Sequence, residues 1–234
     1  MLKQFLKTHL QFPGMPETAP LRDHIEAARH PGYPYCPPDE GDLLYTLALR
    51  TPAGRALEIG CATGSTAIYM LDAMPQGTLT SIDFAHGDHD RSGEALIKRA
   101  GQSARHRLIE DNSIDVLPQL FAAGERFDLI FLDGWKTFDH VWVDTFYAAK
   151  MLKPGGYIVF DDARMPAVQK CISLLRSHYE FEAIDGYKLI GGWRLRLWHA
   201  LIARTAKPHY VALRKPREIA ETPAGRTFDF WAEF

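Results

Sequence analysis

Residues 55–70, RALEIGCATGSTAIYM, constrain the fold more than any other stretch of the chain. Ala56, Leu57 and Ile59 form a short apolar run that ends at Gly60. Ser65 or Thr66 then supplies a hydroxyl suited to capping a helix that begins near Ala67. The segment therefore reads as a buried strand, a glycine turn and a helix start. Gly60, Ala62 and Gly64 leave little side-chain bulk over the turn, so a ligand can approach the backbone and meet N–H groups at the helix N-terminus. Glu58 adds a carboxylate at the end of the strand.

Downstream, the same pattern repeats. The spacing predicts a helix over 65–74, a strand from Thr78 to Phe84, a helix from Ser92 to Ala100 and a strand from Arg107 to Glu110. A helix from Ile114 to Ala123 follows, then Phe127–Leu132, FDLIFL, a continuous apolar run expected of a central strand covered on both faces. Helix Phe138–Met151 stops at Lys153, Pro154, Gly155 and Gly156, and strand Tyr157–Phe160 leads to helix 166–178. Alternation with short turns implies a Rossmann-like α/β fold with a doubly wound, mostly parallel sheet. The strands end at Glu58, Asp83, Asp133 and Asp161, which gathers acids along the carboxyl edge where open α/β sheets bind ligands.

Upstream, Leu43, Leu44, Leu47 and Ala48 recur at helical spacing. Residues 11–38 carry seven prolines, which disfavours long regular elements and reads as an arm or lid over residues 1–38, ahead of a single domain over 39–234. The first twelve residues read as a short amphipathic helix, not a signal peptide. Phe181–Asp185 and His209–Leu213 are candidate late strands, and Leu189–Ala203 is rich in Trp and Arg. The 188–217 region reads as an amphipathic helix, a homodimer surface or part of a substrate wall.

A formal net charge of −2, from 27 basic and 29 acidic side chains, gives no overall reason to expect nucleic acid or an anionic membrane as partner. No stretch approaches the ~18 consecutive apolar residues of a membrane span. Cys36, Cys61 and Cys171 show no CxxC spacing, which argues against a disulfide framework or structural zinc and for a reducing cytoplasm.

A nicotinamide fingerprint needs G-x-G-x-x-G after the first strand, and Ala62 and Ser65 occupy its second and third glycine positions. Asp83, 19 residues beyond Gly64, stands where a carboxylate accepts hydrogen bonds from ribose hydroxyls. Glu58, Gly60, Ala62 and Gly64 resemble instead the first motif of class I S-adenosylmethionine-dependent methyltransferases, acidic-x-Gly-x-Gly/Ala-x-Gly. Three further stretches resemble the catechol-like and caffeoyl-coenzyme-A-like O-methyltransferases and their bacterial relatives: PPDEGDLLYTL at 37–47, FLDGWKTF at 131–138 and GGYIVFDD at 155–162. The resemblance implies a methyl donor held by Glu58, Gly60, Cys61, Ala62, Gly64, Ser65, Thr66, Asp83, Phe84, Asn112, Ser113 and Asp133.

In the metal-dependent members of that group, a divalent cation sits on carboxylates that fall here on Asp133 and Asp161, with a third ligand at Asp162. Acids at neighbouring strand ends suit Mg²⁺, which would polarise a bound hydroxyl. The group's lysine falls on Lys136, a candidate proton acceptor if desolvated beside a cation, with Asp133 as its catalytic neighbour. His140 is a spare candidate. Asp162 departs from the Asn of the metal-dependent group. The cluster His86, Asp88, His89, Asp90 reads as a polar turn. The expected activity is methylation of a small-molecule hydroxyl. Its rivals are metal-free methylation of nitrogen or RNA, with the 188–217 segment recruiting the polyanion, a non-catalytic donor-binding protein, and a nicotinamide oxidoreductase.

Overall fold

The computed structural model describes residues 18–51, 53–184 and 209–216. The helix expected over the first twelve residues and most of the Trp/Arg-rich 188–217 region lie outside the described residues. Within them, strands β1 (Arg55–Ile59), β2 (Thr78–Ile82), β3 (His106–Ile109), β4 (Phe127–Leu132), β5 (Leu152–Phe160), β6 (Glu182–Ile184) and β7 (Val211–Arg214) form one sheet in the order β3-β2-β1-β4-β5-β7-β6. The first five strands are parallel, and β7 runs antiparallel between β5 and β6. This is the doubly wound, mostly parallel sheet that the strand–helix alternation implies.

Period-two alternation divides the core. Ala56, Leu129, Phe131 and Val159 pack on one face with α2 (Pro38–Ala48) and α3 (Ser65–Ala73). Leu57, Ile59, Ile130, Leu132 and Phe160 pack on the other with α5 (Ser113–Ala122), α6 (Phe138–Met151) and α7 (Pro166–Ser177), while α4 (Ser92–Arg99) adds Leu96 and Ile97 to the first face. Both faces are covered, as expected of a parallel sheet.

Three expectations change. The proline-rich lead-in holds a ten-residue helix, α1 (Ala19–Ala28), because Pro20 falls in its first turn, where a missing N–H costs nothing. Ile25 is buried beside partly buried Leu21 and Ala28, and Thr18 and Arg22 both bond the Asp42 carboxylate of α2 at 2.5 Å. Strand β5 starts at Leu152, running through the Pro–Gly turn signal, and a register shift opposite Phe127/Leu129 absorbs residues 153–156. Neither Ser65 nor Thr66 caps α3, which begins at Ser65 after Gly64 in the left-handed region (φ 73°). Their hydroxyls serve elsewhere: Ser65 accepts from the Cys36 backbone N–H at 3.3 Å, and Thr66 donates to Glu58.

The topology fixes where a ligand can lie. Chain direction reverses its winding between β1 and β4, neighbours in the sheet. There Gly60, at φ 90°, comes so close to β4 that an added Cβ would sit 2.3 Å from the Asp133 carbonyl oxygen. Only glycine fits.

Candidate functional site

The glycine turn is held from below and from the side. Glu58 is fully buried and accepts from the hydroxyls of Thr66 and of Ser81, the latter at 2.6 Å. Asp83 Oδ2 accepts the backbone N–H groups of Cys61 (2.9 Å) and Ala62 (2.6 Å), and its Oδ1 accepts that of Ala85 (2.9 Å). Ala62 sits at φ 43°, a strained conformation for a residue with a Cβ, and the Asp83 bond pins it there.

Above the turn lies a cavity of about 180 Å³. Of the residues expected to hold a donor, Gly60, Ala62, Asp83, Phe84, Asn112, Ser113 and Asp133 line it. Glu58, Cys61, Gly64, Ser65 and Thr66 do not: they form the underside of the turn, and each of them except Gly64 has its side chain directed away from open space. Asn112 also caps α5, accepting from the Ile114 N–H at 3.2 Å. Phe84 and Trp135 stand 5.5 Å apart at the cavity wall, 56% and 54% exposed, two large rings left more than half open. The sequence pattern assigns Trp135 no role. His140 lines the same cavity and pairs through Nδ1 with the Thr137 hydroxyl at 3.0 Å.

Burial pushes the Glu58 carboxyl up to about 7, against the opposing bonds from Ser81 and Thr66. Burial also lowers His106 to about 4, and its Nε2 meets Ser81 Oγ at 2.9 Å. The two groups bend stability in opposite directions. Between its ordinary value of 4.5 and about 7, Glu58 holds more proton in the folded state, so its contribution falls as pH rises through that window. His106 holds less between about 4 and 6.5, so its contribution rises. Glu58→Gln is expected to remove one of the terms that oppose His106, so the thermal midpoint of the variant minus that of the parent, measured at pH 5, 6 and 7, rises with pH. Parallel pH profiles would contradict this account.

At the exits of β4 and β5 the acids form one connected group with Lys136 and His209. Asp133 Oδ1 accepts from Lys136 Nζ at 2.9 Å, and Lys136 lies 3.6 Å from Asp162. The Asp133 side chain keeps 37% of its surface open, yet the crowding protein raises it to about 7, with Lys136 pulling it down and Asp161 pushing it up. Burial works most strongly against the Lys136 charge, but Asp133, Asp161 and Asp162 together outweigh it and the pKa ends above the ordinary lysine value. With no cation beside it, its acidic neighbours favour the protonated form of Lys136. Asp161 and Asp162 meet His209, whose Nδ1 lies 2.9 Å from Asp161 Oδ1 and whose Nε2 lies 3.5 Å from Asp162 Oδ1. Among the described residues, Asp161, Asp162 and His209 form the cluster able to hold an ion, with ligand atoms within 4.8 Å of one another. Asp133, outside that trio, bonds Lys136 and lies against Asp161.

Two contributors escaped the sequence reading. Glu40 of α2 is 4% exposed, its Oε1 has no hydrogen-bond partner, and burial followed by Asp161, Asp133 and Asp39 drives its carboxyl well above the usual range. Its position three and four residues before Leu43 and Leu44 put it on the buried face. His209 was legible only as a strand start. The His86–His89 stretch is a short 3-10 turn, as read. The three cysteines are free and buried, and no helix among the described residues is long and apolar enough to cross a membrane.

A family model described as a methyltransferase domain matches residues 57–163. A catechol O-methyltransferase of Niastella koreensis is 32% identical over 128 residues, covering 53% of this chain and 56% of its own length. An O-methyltransferase of Aspergillus flavus is 30% identical over 168 residues, covering 66% of this chain and 64% of its own length. The chain spans little more than half the length of the first of these relatives. Among solved structures, an O-methyltransferase from Bacillus cereus in complex with S-adenosylhomocysteine superposes with a TM-score of 0.65 at 18% identity, covering 92% of this chain and 97% of that one.

Proposed function

From the premise that this chain carries a class I methyltransferase domain, we propose that it uses S-adenosylmethionine to methylate the hydroxyl of a small molecule, with a divalent cation held at the exits of β4 and β5. The observation that carries the reading is a juxtaposition: a cavity over the Asp83-tied glycine turn opens beside the Lys136–Asp133 pair. Asp83 offers lone pairs to ribose hydroxyls, the exposed rings of Phe84 and Trp135 suit a planar base, and Asn112 and Ser113 supply polar edges. The donor brings a methyl group already activated on a sulfonium, so the protein's work is positioning. The Lys136 ammonium orients the acceptor oxygen and stabilises the negative charge that develops on it, with Asp133 close enough to exchange a proton.

A cation fits the donor set. Asp161 and Asp162 with Asp133 alongside present hard oxygens, and the buried Glu40 Oε1 lacks any partner. Held there, the ion would lower the pKa of an acceptor hydroxyl. Isothermal calorimetry with S-adenosylmethionine and S-adenosylhomocysteine tests the core of the reading, and an absence of heat at millimolar ligand overturns it. Lys136→Ala should lower kcat about 100-fold while S-adenosylhomocysteine affinity stays within about twofold. Unchanged kcat in that variant would remove Lys136 from the chemistry.

A further inference from the structure

Resting on the cation-assisted reading above, we propose that His209 is a direct ligand of the ion, with Asp161 and Asp162, and that the centre therefore takes a first-row transition ion in preference to Mg²⁺. The resemblance pointed to oxygen ligands alone on β4 and β5. The structure brings in a nitrogen donor from the segment that leads into the antiparallel strand β7.

His209 is well placed for this. Its carbonyl oxygen accepts from the Ala163 N–H at 2.7 Å, which fixes the backbone one residue beyond Asp162 and lays the imidazole across both carboxylates. Two ligands each about 2.1 Å from one ion can be no more than roughly 4.2 Å apart, so drawing in atoms that already lie within 4.8 Å requires only a shift of some tenths of an ångström. Asp162 stands at φ 50°, a strained conformation for a residue with a side chain, and the bond from the Met165 N–H to its carbonyl oxygen, 2.8 Å, holds it there.

The second observation comes from the opposite side. Glu40, 4% exposed, has an oxygen without a hydrogen-bond partner, and its strongest charged neighbour is Asp161. That unpartnered oxygen belongs to a carboxyl packed against Asp161, where a bound cation would supply an electrostatic partner. The Lys136 ammonium is already engaged by Asp133. An imidazole in a carboxylate site favours ions such as Co²⁺, Ni²⁺ or Zn²⁺, which bind nitrogen well, whereas Mg²⁺ favours oxygen alone.

The test titrates the full chain with Co²⁺ and, separately, Mg²⁺ by calorimetry, and records the proton NMR spectrum of the Co²⁺ form. The expected result is Co²⁺ affinity at least about tenfold above that for Mg²⁺, with a far-shifted, exchangeable imidazole N–H resonance. His209→Ala should weaken Co²⁺ about tenfold or more, abolish that resonance, and change Mg²⁺ affinity less than about threefold. His209→Gln should behave alike, and S-adenosylhomocysteine binding equal to the parent's shows that each variant is folded. Undiminished Co²⁺ affinity in both variants, or a Co²⁺ form without the resonance, overturns the assignment of His209. Mg²⁺ binding that Asp161→Asn removes while His209→Ala leaves Co²⁺ binding untouched rejects this inference and keeps the cation reading. A parent chain that binds neither ion rejects both.

Discussion

Asp161→Ala is expected to lower kcat about 1,000-fold while S-adenosylhomocysteine affinity stays within about twofold. Asp161 is the hub of the acidic set: its neighbours include Glu40, Asp133 and His209, and its side chain is only 13% exposed. It contributes nothing to the wall of the donor cavity, whose lining stops at Asp133, Gly134 and Trp135 on that side. Removing it therefore leaves donor binding alone and disorganises whatever holds and polarises the acceptor. Loss of an interaction made mainly in the transition state appears in kcat and in kcat/KM together, and the split between those parameters and donor affinity is what the kinetic and calorimetric measurements read. Glu40 and Asp133 would also lose a like-charged neighbour, so the variant should be no less stable than its parent in thermal melts. Turnover within about threefold of the parent would show that the chemistry does not pass through this end of β5.

The contrast between what the chain's order betrays and what it conceals has a physical basis. Strands β1 and β4 were readable because a strand covered on both faces must be apolar without interruption, and Leu57–Ile59 and Phe127–Leu132 meet that demand apart from Glu58 and Asp128. Helix α1 was hidden by its own prolines, since the residue that breaks a helix interior is harmless in the first turn. The hydroxyls of Ser65 and Thr66 look like caps in one dimension, but in three they bind Cys36 and Glu58. Glu40 was within reach, on the same helix face as two leucines. His209 was not, because 48 residues separate it from Asp161 and only the antiparallel return of β7 brings them together. Local pattern records which face a residue occupies, whereas a site assembled from distant strand ends depends on topology.

Asp83 carries the second large effect. Asp83→Ala is expected to weaken S-adenosylhomocysteine binding about 100-fold or more, and to lower the thermal midpoint as well. Its carboxylate accepts three backbone N–H groups, from Cys61, Ala62 and Ala85, so it sets the shape of the turn before any ligand arrives. Truncation leaves those donors short of partners at about 1–3 kcal/mol each where water cannot reach them, and it frees Ala62 from a conformation it would not otherwise keep. A relaxed turn no longer aims its N–H groups into the cavity, and the acceptor for ribose hydroxyls is gone at the same time. Asp83→Asn separates the two contributions. Its single oxygen can still accept from Cys61 and Ala62 while the amide side faces Ala85 with a donor, so stability should fall less than in the alanine variant and affinity should lie between. The comparison locates the origin of donor specificity: if both variants melt like the parent and bind S-adenosylhomocysteine equally well, the glycine turn is self-supporting and Asp83 is only its neighbour. If affinity tracks the loss of turn bonds, the acid after β2 acts twice, once as scaffold and once as ligand-binding group.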